Sequence, residues 1–225
     1  MAARAELLKT TEAAVVAGVE LREVNRVIDE GILPKDFFST DNGRYVFPAG
    51  CMLIAFYVES AGHLTAKERR FVMRTAGARL RNWARKAFIV SLKEDWTASL
   101  KEDWTVKHEF LSVDFAPFVK SVSDRLERLS AADKLVSSSS DVLSGTPVIK
   151  GTRIPVHDVA ASVAAGLPKE RILAAYPRLD SNQIDLAVLY ARANPVKGRP
   201  RGAATLPPGT VILADRRTSR RRKAE

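Results

Sequence analysis

Arginine is the residue whose placement in this chain most suggests chemistry, and that placement is uneven. From residue 195 onward nine Lys or Arg stand against two acids, so +7 of the formal +10 falls in the last 31 residues. Arg199, Arg201, Arg216 and Arg217 flank a short apolar island, Val211, Ile212 and Leu213. A guanidinium stays charged, and its planar fork binds a carboxylate through two parallel bonds. The island is β-prone, suited to adding a strand to a partner's sheet edge or lying in a groove while the arginines reach acidic groups. The remaining Gly, Pro and Arg of 195–225 cannot build a core, which predicts a flexible tail in isolation. Arg220, Arg221, Arg222 and Lys223 read as a solvated charge run.

Catalytic chemistry finds little support. His63, His108 and His157 have no metal-ligand spacing, and neither a phosphate loop nor a paired-carboxylate pattern stands out. The serines of 137–140 have no neighbouring base, and Asp141, Asp158 and Asp180 are turn and cap residues. We therefore expect a non-enzyme with no cofactor and no metal. Cys51 is alone, which excludes an intramolecular disulfide and suits a buried core thiol. No apolar run reaches transmembrane length and no signal-peptide pattern opens the chain, so the expected location is cytoplasmic, away from membranes. With 225 residues, 46% of them hydrophobic, one or two domains can bury real cores, and a pI near 9.9 favours acidic partners.

Residues 6–62 carry the first positioning elements. Thr10 or Thr11 caps a helix with Glu12 in its first turn, Val15 and Val16 inside it and Gly18 ending it. A second helix over about 21–30 turns Leu21, Val24, Val27 and Ile28 inward and leaves Arg22, Glu23, Asn25 and Arg26 outward or near its ends. The turn 41–44 and the strand 44–47 then make a small hairpin wing. This order, Thr11, Glu12, Ala13, Ala14, then Val24, Asn25, Arg26, Val27, Ile28, Asp29, Glu30, Gly31, Ile32, Leu33 and Pro34, is similar to the MerR-like and excisionase-like winged helix-turn-helix. The resemblance implies that the second helix enters a DNA major groove, with Arg22, Asn25 and Arg26 on bases or phosphates and Arg44 and Tyr45 on the wing. Glu20, Glu23, Asp29 and Glu30 dilute the positive field there.

The middle of the chain is mainly helical. Thr65 and Glu68 form a capping box for a long helix with an apolar stripe at Val72, Ala76, Leu80, Trp83 and Ala87 and a basic ridge at Lys67, Arg70, Arg74, Arg81 and Arg85. Residues 91–98 and 99–106 are a near-exact tandem repeat of eight, too short for a solenoid unit, so one copy should pack and the other loop out. The strand expected over 104–113 is assigned to pair with 134–138. Residues 116–132 form a helix with Phe118, Val122, Leu126 and Leu129 on one face and Arg125, Glu127 and Arg128 in solvent. Such a stripe is either core or a dimer seam.

Residues 141–158 are the most constrained stretch. Val148 and Ile149 face Arg153 and Ile154 across a turn in which Gly151 takes positive φ, and Pro147 and Pro155 sit at strand edges. Helices follow over 157–165, stopped by Gly166, and over 168–176, started by Pro168. A third runs over 182–193, capped by Asp180 or Ser181, with Ile184, Val188 and Ala191 at helical spacing.

The run Gly145, Pro147, Ile149, Gly151, Thr152, Arg153, Ile154, Pro155 and Val156, followed by Gly166, Glu170, Ile172, Leu173, Tyr176, Pro177 and Leu179 and then Ile184, Ala187, Tyr190 and Ala191, resembles the small GTRIP helix-turn-helix family. Many of that family's members are VapB-type antitoxins encoded beside a PIN-domain toxin. The resemblance implies a partner: a cognate PIN-domain ribonuclease, Mg-dependent, with a carboxylate cluster as its active site. In related antitoxins a C-terminal segment wraps the toxin and places an arginine among those carboxylates. Carried to this chain, Arg199, Arg201, Arg216 and Arg217 are candidates for that role and Val211, Ile212 and Leu213 for its anchors.

The expected fold is therefore mainly α with small β-hairpins, built from two helix-turn-helix modules, a helical middle and a flexible C-terminal tail. Its expected divisions are a winged helix-turn-helix over 1–62, a helical linker or dimerisation region over 63–133, the GTRIP domain over 134–194 and a basic toxin-binding tail over 195–225. The expected function is an antitoxin that inhibits its PIN-domain ribonuclease and represses its own operon at operator DNA, as a homodimer or a toxin–antitoxin hetero-oligomer. The alternative is a stand-alone MerR-like or excisionase-like transcriptional regulator. An RNA-binding protein is a third class, for which the sequence offers no aromatic stacking platform.

Overall fold

The structure is a computed structural model that describes residues 7–87, 103–108 and 110–196. The tail candidates Arg199, Arg201, Val211, Ile212, Leu213, Arg216 and Arg217 lie outside the described residues, as does the first copy of the tandem repeat. The fold is mainly α with small antiparallel strand pairs.

The chain opens with β1 (Leu8–Lys9), α1 (Thr10–Ala17) and α2 (Leu21–Asp29). A 3-10 turn at Lys35–Phe37 leads through β2 (Phe38–Ser39) and β3 (Tyr45–Val46) to α3 (Pro48–Glu59) and α4 (Ala66–Ala87). β3 is the middle strand of a three-stranded antiparallel sheet, pairing Leu8 and Phe38 with Val46 and Lys9 and Ser39 with Tyr45. The wing therefore has a third strand, supplied by the residues just before α1.

Periodicity leaves α3 unannounced, because it has none: Pro48 starts the helix at its first position and every residue from Ala49 to Tyr57 is buried. A helix apolar all round belongs inside a core. Here α3 packs against α1, α2, α4 and the long helix α5 (Ala116–Leu135). Phe56 meets Phe115 with ring centroids 5.4 Å apart and Phe118 edge-on at 5.5 Å. Cys51, fully buried on α3, has its thiol pKa pushed far up by desolvation. Arg69 of α4 holds the end of α3, donating to the Tyr57 carbonyl at 2.8 Å while its guanidinium lies 4.2 Å from the Tyr57 ring centre.

The capping box that starts α4 forms as expected, Thr65 N–H donating to Glu68 at 2.7 Å and Glu68 N–H to the Thr65 hydroxyl at 3.3 Å. The Thr65 hydroxyl, donating to the Glu68 carboxylate at 2.8 Å, and then the Thr65 N–H hold that carboxyl below its ordinary pKa. The stripe residues Val72, Ala76 and Leu80 are buried. The stripe of α5 faces the chain's own core as well: Val122 and Leu129 are buried, and Phe118 and Leu126 pack on the same cluster.

One expected pairing is overturned. β4 (Thr105–His108) pairs with β5 (Leu111–Asp114), not with 134–138. The partner of β6 (Val136–Ser137) is β7 (Val148–Ile149). A connection of two residues lets β4 and β5 close on each other at far lower loop-entropy cost than a pairing across α5. Trp104, from the second copy of the repeat, is buried and precedes β4.

The last helices are α6 (Val156–Ala164), α7 (Lys169–Ala175) and α8 (Ser181–Ala193). Asp180 caps α8, accepting from Gln183 N–H at 2.8 Å while its own N–H donates to the Gln183 side chain at 3.0 Å. Gly166, at φ 81°, ends α6 in the left-handed conformation. Ile149, Val156, Val159, Ile172, Leu179, Ile184 and Ala187 form a second core. The larger core unites α1 to α4 with the β4–β5 hairpin and α5, so regions 1–62 and 63–133 share one interior. α5 and α8 join the two cores: α5 carries Val119 and Val122 in one and Leu135 in the other, and α8 gives Ile184 to the second and Ala193 to the first.

Candidate nucleic-acid interface

α1 and α2 meet at a turn fixed by Gly18. At φ 73° its backbone is left-handed, and the Gly18 and Val19 N–H groups both donate to the Ala14 carbonyl, at 2.9 and 3.0 Å, closing the end of α1. The helix starts without the expected threonine cap: Lys9 occupies the N-cap, and its N–H donates to Glu12 at 2.8 Å. Val24, Val27 and Ile28 of α2 are buried as the periodicity predicts. Leu21 departs from expectation, being 39% exposed at the first position of the helix, where no turn precedes it to pack against. Ile32 and Leu33 both donate to the Val27 carbonyl and are buried, anchoring the end of α2.

The outward face of α2 carries the predicted contact residues. The Arg22 side chain is 84% exposed and Arg26 45%, with Asn25 half-buried between them. Glu23 sits between the two arginines, its carboxylate 2.6 Å from Arg26 and 3.7 Å from Arg22. Part of the cationic field of this face is thus spent inside the helix.

The wing turn places Asn42 at φ 62° and Gly43 at φ 126°. Arg44 leaves that turn toward the C-terminal end of α2 and grips Asp29 through both nitrogens, at 2.9 and 3.2 Å. This two-point bond ties wing to helix, so Arg44 orients the wing before it touches anything else. Tyr45 is half-buried in β3 between Lys9 and Ser39. Arg22, Asn25, Arg26 and Arg44 therefore share one surface centred on α2, while the tail candidates fall outside the described residues.

Arg125 stands where its local sequence does not place it. Expected in solvent, it is partly buried and donates to the Ala17 carbonyl at 2.9 Å. Its guanidinium covers Gly18, within 2.5 Å of where a Cβ would stand. The cation closes the C-terminal end of α1, where free carbonyls favour positive charge. No local pattern could reveal this, because the contact spans 108 residues of sequence. Gly18→Ala should accordingly cost about 1–2 kcal/mol for the left-handed backbone alone, and displace Arg125 in addition. Thermal denaturation checks it, with Arg125→Ala in a Gly18→Ala background showing how much of the loss the two changes share.

The basic ridge of α4 is exposed at Lys67, Arg70, Arg74 and Arg81, and Arg81 pairs with Asp36 in the loop after α2. The three histidines stand on separate elements: His63 is exposed, His108 stacks on Phe71 at 3.8 Å and His157 lies 6.3 Å from the Tyr190 ring. Among the described residues no group of three or more His, Cys, Asp or Glu could hold a metal ion, and no helix is long and apolar enough to cross a membrane.

Comparison with known proteins adds two findings. Residues 136–191 match a family described as a protein of unknown function, DUF433. Over 223 residues the chain is 56% identical to a protein named "uncharacterized protein y4eO" from Sinorhizobium fredii (strain NBRC 101917 / NGR234), covering 99% of this chain and 97% of that one. No solved structure matches the chain.

Proposed function

The chain belongs to the same family as the y4eO protein, and since that kinship runs through both its helix-turn-helix module and the 136–191 segment, we propose one function that uses both. It is a VapB-type antitoxin: the winged module binds operator DNA, and the basic segment from residue 195 neutralises a PIN-domain ribonuclease. It performs no catalysis of its own. The observation that carries the DNA half is the α1–Gly18–α2 unit, with Arg22, Asn25 and Arg26 on one exposed face and the wing held to its far end by Arg44 and Asp29. A helix pair of this kind presents the second helix to the major groove.

The toxin half rests on composition and on the GTRIP pattern. One contact links the halves. α8 ends against α1, and Lys9 Nζ comes within 3.5 Å of Asn194 Oδ1, so the tail departs beside the start of the DNA-binding module. A toxin held on the tail is then a neighbour of the operator, and a toxin that bridges two antitoxins raises their joint avidity for two half-sites.

The same contact favours a second reading, in which the tail is a DNA arm of a stand-alone regulator. Salt separates them. On duplex DNA from upstream of its own gene, the full chain and a chain ending at Asn194 should show nearly the same slope of log affinity against log salt if the tail serves a toxin. The arm reading requires the slope to fall by about one for each phosphate contact removed.

A further inference from the structure

The turn that joins β7 to α6 borders a hollow of about 600 Å³ lined by Val142, Gly151, Thr152, Arg153, Ile154 and Arg178. Arg153 comes from the turn and Arg178 from the link between α7 and α8, so two distant stretches each bring an arginine to one concavity. Both arginines are exposed, and neither makes an ion pair among the described residues. No carboxylate lines the hollow. The acids nearest in sequence are already hydrogen-bonded, Asp141 by the Ser140 hydroxyl at 3.3 Å and Asp180 by Gln183 N–H at 2.8 Å.

The turn itself is rigid and open. Ile149 N–H donates to the Ile154 carbonyl at 2.9 Å, and Thr152 N–H to the Ile149 carbonyl at 2.9 Å. The Thr152 hydroxyl is consumed inside the turn, donating to the Ile149 carbonyl at 2.7 Å and accepting from Ile154 N–H at 3.1 Å. The Gly151 and Arg153 N–H groups find no acceptor among the described residues. At Gly151, φ is 78° and a Cβ would meet nothing within 4 Å, so a ligand can approach the backbone there.

We infer that this hollow is a phosphate-binding site. Two guanidinium forks and free backbone N–H groups around one concavity make an anion receptor. A carboxylate's two oxygens are satisfied by a single fork, whereas a phosphate presents enough oxygens to meet both arginines and a backbone N–H together. The phosphate could arrive on a nucleic acid backbone or on a small phosphate-bearing ligand. The site stands apart from the toxin-binding proposal and does not use the winged module.

The test is a titration of the ¹⁵N-labelled full chain with inorganic phosphate, and with acetate at matched ionic strength, reading the Gly151 and Arg153 amide resonances. These local probes ignore phosphate that gathers on the basic tail. Phosphate should shift both resonances saturably and bind about tenfold or more tighter than acetate. Arg153→Gln combined with Arg178→Gln should abolish the response, and Arg192→Gln, on α8 and outside the hollow, should leave it intact. Equal response to the two anions, or a response that survives the double change, overturns the assignment. Titration with a thymidine dinucleotide then identifies the source: movement of the same resonances indicates a nucleic acid phosphodiester, and response to inorganic phosphate alone a small ligand.

Discussion

Arg22→Ala combined with Arg26→Ala should weaken binding to the operator by at least about 2 kcal/mol, roughly 30-fold, since base-edge contacts of this kind are worth about 1–3 kcal/mol each. The double change should also flatten the salt dependence to the extent that these arginines contact phosphates. Neither side chain supports the core, so the unfolding midpoint should stay where it is. Glu23→Gln gives the opposite sign. Its carboxylate lies between the two guanidinium groups, and neutralising it frees both for DNA, so affinity should rise several-fold with little change in sequence preference. Fluorescence anisotropy with labelled operator and with scrambled duplex reads both effects. Unchanged affinity in the double variant would remove α2 from the interface.

Phe56→Ala should have the largest effect on stability, about 3–5 kcal/mol, the usual range for deleting a buried aromatic ring. Phe56 is 1% exposed, and its ring touches Phe115 and Phe118, so the deletion empties the junction between α3 and α5. No polar group can fill the space, and a backbone hemmed in by neighbouring helices cannot close it. Phe110 provides the contrast on the same measurement. It stands fully in solvent beside β5, and Phe110→Ala should change stability by less than about 0.5 kcal/mol. Urea unfolding followed by far-ultraviolet circular dichroism distinguishes the two, and a cost below about 1 kcal/mol for Phe56→Ala would contradict the packing described.

What the sequence discloses and what it conceals divide along physical lines. Local rules reach the turns and caps: Gly18, Gly151 and Gly166 take the left-handed conformation, and Thr65 and Asp180 cap their helices, because these depend on neighbours within a few residues. Periodicity reaches α2, where Val24, Val27 and Ile28 fall on one side. It fails at α3, since a helix apolar on every face has no moment to detect. Its signal was length: Pro48 followed by a run of apolar residues too long for an ordinary strand.

Contacts between distant segments stay hidden for a different reason. Arg125 reads as solvent-facing until α5 is laid across the end of α1, and Arg44 reads as a free wing cation until the wing folds back on Asp29. Arg44 is thereby turned from a candidate DNA contact, and Arg125 from a solvent-facing residue, into groups that fix the geometry of the helix-turn-helix. The pairing of β4 with β5 was decided by loop closure, which residue types alone do not reveal.

The central claim is that the segment after Asn194 inhibits a PIN-domain ribonuclease, and one measurement addresses it directly. The full chain and a chain ending at Asn194 are each co-expressed with the protein encoded beside them, purified through a tag on the present chain, and assayed for bound protein and its RNA cleavage. The full chain is expected to retain a PIN-domain nuclease and silence it, while the shortened chain, with α8 and both cores intact, does neither. Capture and inhibition by both forms, or by neither, would contradict it.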